Sequence, residues 1–301
     1  MKFNAIRDFL AVVERGSLRA AARQTGGSQP AMSRSIQELE RELGVVLFER
    51  MGSGVQLTPM GQVFLRRASS VQNELRLAQE ELDQLRGETH GRLTVALSSV
   101  PHLALLPQVL RPFRQRYPEV TLDIKDAVFP TVEQDLKDSR VDCYIGPAPA
   151  EVGPALLVEK LFDNTRLIMG RKGHPLAQAR SLKDLVQAEW ISTSITYIAE
   201  DELGPLFAKH GLPPPKLKMQ LHSTLSFLVA MVYSDVLMMA PVQWTRSPLL
   251  RDQVAPIPVR ELLPAPPVCL IRRAGLPLTP AAEHFCDLMR RAALHEGTAS
   301  A

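Results

Sequence analysis

A-A-R-Q-T-G-G-S-Q-P-A-M-S-R-S-I-Q-E-L-E-R-E-L-G, residues 21–44, is two short helical patterns joined by small residues. Thr25-Gly26-Gly27 suits a tight turn, and Ser28 is a good N-cap for the helix that follows. Pro30 falls in the first turn of that helix, where no N–H is missed. Met32, Ile36, Leu39 and Leu43, spaced 4, 3 and 4, are expected to point inward, which leaves Gln29, Ser33, Arg34 and Gln37 on the opposite side. Two short helices joined this way, the second showing amides, hydroxyls and a guanidinium, describe a helix-turn-helix. Gln pairs with adenine, Arg with guanine and Ser with either in the major groove. Ser28 and the first-turn N–H groups suit a phosphate.

Upstream, Ile6, Phe9, Leu10 and Val13 form one apolar helix face that Gly16 ends. Ser17 caps the next helix, L-R-A-A-A-R-Q, whose alanines let another helix approach closely. Downstream of Gly44, V-V-L-F-E-R, G-S-G and V-Q-L-T read as two short strands around a glycine tip, a wing that carries Arg50. Short polar helices with Ser, Gln and Arg also occur on the surfaces of many proteins, so the helix pattern alone leaves DNA binding and a plain solvated face both open.

Residues 59–88 carry the most regular period. Phe64, Ala68, Val71, Leu75, Ala78, Leu82 and Leu85 alternate spacings of 4 and 3, an a/d heptad seam. Core packing usually calls for a wider stripe, so the seam predicts a dimerising helix; the alternative is a helix packed on its own domain. After Gly87 the texture becomes short β-branched strands alternating with helices: strands at 92–97, 120–126, 141–146, 156–162, 165–170, 190–192, 216–221, 235–240 and 268–273, and helices at 103–117, 132–139, near 200–210, from Ser181, from Ser223 and at 280–294. Short strand–helix–strand connections predict parallel pairing with right-handed crossovers.

The 301 residues carry a net charge of only +3, so DNA affinity has to come from locally placed basic residues. Cys143, Cys269 and Cys286 are odd in number and widely spaced, giving neither a disulfide framework nor a metal site and fitting a reducing cytosol. Cys143 and the Met231, Met238 and Met239 group read as core. The N-terminus lacks the uninterrupted apolar core of a secretion signal, and the apolar stretch 225–240 is broken by Ser234 and Asp235. A cytoplasmic protein with no membrane partner is expected. No nucleophile elbow, dinucleotide fingerprint, P-loop or ligand-spaced His/Cys/carboxylate cluster occurs, which argues against an enzyme and against a cofactor. An exported binding protein is disfavoured by the same N-terminus, and an architectural DNA-binding protein that senses nothing stays open.

Residues 21–44, followed by L-F-E-R and L-T-P-M-G, resemble the winged helix-turn-helix signature of LysR-type transcriptional regulators over roughly residues 3–65. The α/β remainder is similar to the family's sensor domain in length and strand order. Ser234-Asp235-Val236, D-Q-L-R-G (83–87) and L-P-L-T-P-A-A (276–282) are similar to the branch containing a regulator of aromatic sulfonate degradation. The chain departs from the family at Thr25 and Gly27, where aliphatic residues are usual, and at Ser53, where many members have a basic residue.

The resemblance implies an α/β fold with an N-terminal winged helix-turn-helix (1–58), a long linker and dimerisation helix (59–88) and a two-lobed, periplasmic-binding-protein-like sensor (89–301). Lobe one would be 91–162 with 267–301, and lobe two 163–266. It implies DNA contacts from Ser17, Ser28, Gln29, Pro30, Ser33, Arg34, Gln37 and Arg50. An effector between the lobes, an anion such as an aromatic carboxylate or sulfonate, would meet Ser98, Ser99, Val100, Pro101, His102, Phe129, Thr131, Thr193, Ser194, Thr196 and Ser223. Expected partners are double-stranded DNA, that effector, a second copy of the chain as dimer or tetramer, and RNA polymerase.

Overall fold

The computed structural model describes residues 1–52, 54–129, 131–149, 151–192, 200–221, 223–263 and 265–298. The chain divides into two compact units, Met1–Leu82 with Asp138–Arg140, and Asp83–Lys137 with Val141–Ala301.

The first unit begins with α1 (Phe3–Arg15), α2 (Leu18–Gln24) and α3 (Gln29–Leu43). Gly16 takes a left-handed conformation at the end of α1, and Gly44 does the same after α3, as the punctuation predicts. The Ser17 hydroxyl accepts from the Ala20 N–H at 3.2 Å, and the Ser28 hydroxyl accepts from the Ala31 N–H at 3.3 Å. Thr25 closes the turn between α2 and α3 by donating its hydroxyl to the Ala21 and Ala22 carbonyls, so a hydrogen bond stands where the family usually has an aliphatic residue. Ile6, Phe9, Val12, Met32, Ile36 and Leu39 bury together with Ala21 and Ala22. Leu43, expected inside, is 37% exposed. It lies on the last turn of α3, where the helix runs past its core.

The hairpin β1 (Phe48–Met51) and β2 (Gly54–Leu57) pairs antiparallel, and three hydrogen bonds tie it and the residue before it to the helical part. The Glu40 carboxylate accepts from the Leu47 and Phe48 N–H groups at 2.7 and 3.1 Å, and Val55 N–H donates to the Gly16 carbonyl at 3.0 Å. Helix α4 (Pro59–Leu85) starts at Thr58, whose hydroxyl accepts from the Gly61 N–H at 2.9 Å and donates to the Val46 carbonyl at 2.7 Å. A Cβ on Gly61 would collide with the Leu47 carbonyl oxygen, which accounts for the L-T-P-M-G run in physical terms.

The heptad seam of α4 divides. Ala68 is buried and Phe64 packs on the core beside Phe9, whereas Val71, Leu75, Leu82 and Leu85 are exposed. Its first turns therefore pack on their own domain, and only the later positions remain open.

The second unit runs through β3 (His90–Leu97), a π-helical turn at Pro101–Leu105, α5 (Leu106–Arg116), β4 (Glu119–Asp126), α6 (Glu133–Lys137), β5 (Cys143–Pro147) and β6 (Leu156–Phe162). It continues with β7 (Arg166–Arg171), a 3₁₀ turn at Leu182–Leu185, β8 (Glu189–Ser192), α7 (Glu200–Lys209), β9 (Lys216–Gln220), α8 (Thr224–Tyr233), β10 (Val236–Pro241), α9 (Gln243–Arg246), β11 (Val254–Ile257), β12 (Val268–Arg273) and α10 (Pro280–Thr298). Two five-stranded sheets result, ordered β4-β3-β5-β12-β6 and β11-β7-β10-β8-β9. The chain passes from the first to the second through residues 163–165 and returns between β11 and β12.

Parallel pairing holds for β3 with β4 and β5, and for β8 with β9 and β10. It fails elsewhere: β12 is antiparallel to β5 and β6, and β7 is antiparallel to β10 and β11. Parallel return requires a crossover of a dozen residues or so. The β6-to-β7 link is far shorter, so those strands join different sheets instead. Helices α5 and α10 cover the first sheet with Phe113, Phe285 and Met289, and the second sheet packs Trp190 against Phe207.

Candidate nucleic-acid interface and small-molecule site

On α3 the burial pattern sorts the side chains by face. Met32, Ile36 and Leu39 are buried, while Gln29, Pro30, Arg34 and Gln37 are exposed and Ser33 is half-buried. Gln29, Ser33 and Gln37 repeat at i, i+4 and i+8, which places them in one row. Arg34 makes no ion pair with any described residue, nor does Arg50, exposed on β1 of the wing. Ser17 and Ser28 spend an oxygen lone pair on capping, and each retains a hydroxyl hydrogen for an external acceptor. Ser53 lies outside the described residues.

In the second unit, Ser98 and Ser99 follow β3 and lead into the π-helical turn. Ser98 is 3% exposed; its N–H donates to the Ile145 carbonyl at 3.0 Å, and its hydroxyl has no partner. Ser99 is half-buried, while Val100 and Pro101 are buried. His102 is turned back on its own helix, with ring Nδ1 lying 2.9 Å from the Ser98 carbonyl oxygen. Phe129 sits in a core cluster against Tyr144, and Thr131 is exposed and donates its hydroxyl to the Val128 carbonyl. Thr193, Ser194 and Thr196 lie outside the described residues, as do Pro130 and His222.

Ser223 caps α8 by accepting from the Ser226 N–H at 3.1 Å. Beside it the Asp126 carboxylate, from the end of β4, accepts from the Thr224 N–H at 3.2 Å. A helix N-terminus attracts anions, and this one already faces a carboxylate of the protein itself.

Sequence reasoning passed over Asn164, Arg166 and Gln243. All three are at least nine-tenths buried, and no periodicity or motif marks them. Asn164 Nδ2 and both polar atoms of the Gln243 amide have no hydrogen-bond partner. Cys143 and Cys286 are fully buried in one core, and their mutual hydrogen bond together with burial pushes the Cys143 thiol well above its ordinary range. Among the described residues no three His, Cys, Asp or Glu side chains are grouped to hold a metal ion, and no helix is long and apolar enough to cross a membrane.

Two family models match the chain. One, described as bacterial regulatory helix-turn-helix protein, lysR family, matches residues 3–62. The other, the LysR substrate binding domain, matches residues 86–294. The HTH-type transcriptional regulator TdcA of Escherichia coli (strain K12) is 24% identical over 290 residues, covering 96% of this chain and 92% of TdcA. YtlI of Bacillus subtilis (strain 168), also an HTH-type transcriptional regulator, is 30% identical over 195 residues, 64% of this chain and 63% of YtlI. Among solved structures, CbnR, a LysR family transcriptional regulator, superposes with a TM-score of 0.69 at 22% identity, covering 97% of this chain and 99% of CbnR. Full-length BenM gives a TM-score of 0.53 at 24% identity, covering 99% and 98%. At these identities the structural likeness speaks for the fold.

Proposed function

Since the chain belongs to the LysR family of transcriptional regulators, a family of DNA-binding proteins with an effector-binding domain rather than of enzymes, we propose that it reads operator DNA as a homodimer under the control of a small organic acid. The reader is the exposed side of α3. Gln29, Ser33, Arg34 and Gln37 address base edges, with Pro30 against the groove, while Ser17, Ser28 and Arg50 hold phosphates. The observation that carries this reading is the clean division of α3 into a buried apolar face and an exposed face whose Arg34 makes no ion pair with a described residue. The likeness to CbnR, a protein also solved in complex with its target DNA, supports it.

Domain borders at 58 and 88 assign residues 59–88 to dimerisation, and the exposed Val71, Leu75, Leu82 and Leu85 supply the apolar seam. A two-fold dimer presents its recognition helices to half-sites of a palindrome, and pairing of dimers gives a tetramer. The effector is an acid bound between the lobes 91–162 with 267–301 and 163–266, near Ser98, Ser99 and the 193–196 segment. It acts by binding one lobe arrangement better than another. The protein works in the cytoplasm, where it meets RNA polymerase at the promoter.

The test is to incubate the full-length protein with sheared DNA from its source genome and sequence what it retains. Enrichment of a few promoters containing palindromes is expected. Uniform, salt-sensitive retention of all fragments, with and without added organic acids, would refute sequence-specific reading.

A further inference from the structure

Helix α2 carries two charged residues, Arg19 and Arg23, and both are positive. They stand four positions apart, which puts them on one side of the helix. Both are exposed, while Ala21 and Ala22 are buried in the core that α2 shares with α1 and α3. Gln24, the remaining polar side chain of α2, is committed to α1: it accepts from Arg15 Nε at 2.8 Å and donates to the Glu14 carboxylate at 3.1 Å. Neither Arg19 nor Arg23 makes an ion pair with any described residue.

The fold does not ask for this arrangement. Like charges four apart weaken a helix, and Arg19 stands in the first turn, where the helix end is already positive. No acidic residue of α2 offsets either effect. An exposed pair of cations that costs the helix stability points to an anion outside the protein. The place of α2 says which one. Val55 N–H donates to the Gly16 carbonyl at 3.0 Å, and a Cβ on Gly54 would strike that oxygen, so the wing lies against the start of α2. Arg50 stands opposite Val55 in the hairpin. The other end of α2 runs through residues 25–28 into α3. In a helix-turn-helix whose second helix enters the major groove, the first helix crosses the DNA backbone.

We propose that Arg19 and Arg23 form a guanidinium row that holds the sugar–phosphate backbone where α2 crosses it. At a rise of about 1.5 Å per residue, the two positions lie about 6 Å apart along the helix. The planar fork of a guanidinium matches the oxygens of a phosphate. Phosphate contacts carry no base information, so the row strengthens binding to every sequence alike and leaves the choice among sequences to α3. It also supplies locally the positive charge that a net +3 over the whole chain does not. The proposal rests on the DNA-reading role given to α3 above and adds a second helix to the interface.

The test titrates the full-length protein with a short random-sequence DNA duplex at several salt concentrations. Arg19→Ala and Arg23→Ala should each lower the slope of log affinity against log salt by about one, and the double variant by about two. Arg19→Lys with Arg23→Lys keeps the charge and should keep the slope. Arg41→Ala removes another exposed cation, in the last turn of α3, and should leave the slope unchanged. The Tm of the DNA-free double alanine variant should hold or rise, because a repulsion is removed. The row is overturned by a slope that either single alanine leaves unchanged, by an equal loss in Arg41→Ala, by a slope lost with lysine or by a lowered DNA-free Tm. Selection from sheared genomic DNA separates the row from the reading by α3. The double alanine variant should retain the same promoters in the same order; a changed order overturns the row as a backbone contact and leaves that reading intact. If the unaltered protein enriches no promoter while the slopes on the random duplex fall as expected, sequence-specific reading is refuted and the row stands.

Discussion

Arg34 projects from the exposed side of α3 without a carboxylate partner among the described residues, so removing its guanidinium leaves the fold intact and subtracts only what it gives to DNA. Arg34→Ala should therefore weaken binding to the preferred operator by about 1–3 kcal/mol and relax sequence preference at one position, as read by gel-shift titration across operator variants. Unchanged affinity and preference would remove Arg34 from the reader. The cysteines give a second test at this scale. Cys143 and Cys286 are fully buried, and the raised Cys143 thiol stays protonated at neutral pH. The native protein should leave both unlabelled by a thiol-alkylating reagent over the time in which the unfolded protein reacts completely, because the thiolate is the nucleophile. Rapid native labelling at either position, mapped by mass spectrometry, would contradict their burial. The sequence reads both kinds of residue correctly in outline, since exposed polar periodicity and small apolar strand residues are local signals. The unpaired amide of Gln243 has no such signal, because no periodicity or motif marks this buried residue.

At the level of elements, the caps follow directly from the amino-acid types. Ser17, Ser28 and Thr58 each stand before a helix and satisfy an N–H that the helix leaves unpaired. Thr58→Ala removes the cap of α4 and its bond to Val46, and should cost about 1–2 kcal/mol of stability in urea unfolding. Helix α4 shows where periodicity stops informing. One uninterrupted heptad pattern covers 64–85, yet Ala68 is buried in its own domain while Leu75 and Leu82 are exposed. Charge at the exposed positions should split the dimer without unfolding the protomer. Leu75→Glu is expected to shift sedimentation velocity toward the monomer while the helical circular dichroism and Tm of the first unit change little. If Leu75→Glu stays dimeric at micromolar concentration, the dimer forms elsewhere.

For the whole molecule, a net charge of +3 over 301 residues makes non-specific attraction to DNA weak, so the affinity depends on a few placed cations. Each phosphate contact contributes about one unit to the slope of log affinity against log salt. Arg50→Ala in the wing should lower that slope by about one while keeping the order of preference among operators, the reverse of the pattern expected for Arg34→Ala. A slope unchanged by Arg50→Ala would free the wing of that phosphate.

Local rules account for the helix-turn-helix, its wing and the alternation of strands and helices, because caps, turns and apolar periods act within a few residues of one another. The same rules show that the chain carries no catalytic motif. The tertiary structure alone decides how β12, far along the chain, enters antiparallel between β5 and β6. It likewise decides that Asp126 faces the N-terminus of α8, and that α9 meets the turn after β3. Each of these joins residues separated by tens to more than a hundred positions. Their pairing depends on which surfaces remain to be covered once the local elements exist, and that is a property of the packed molecule rather than of any stretch of its sequence.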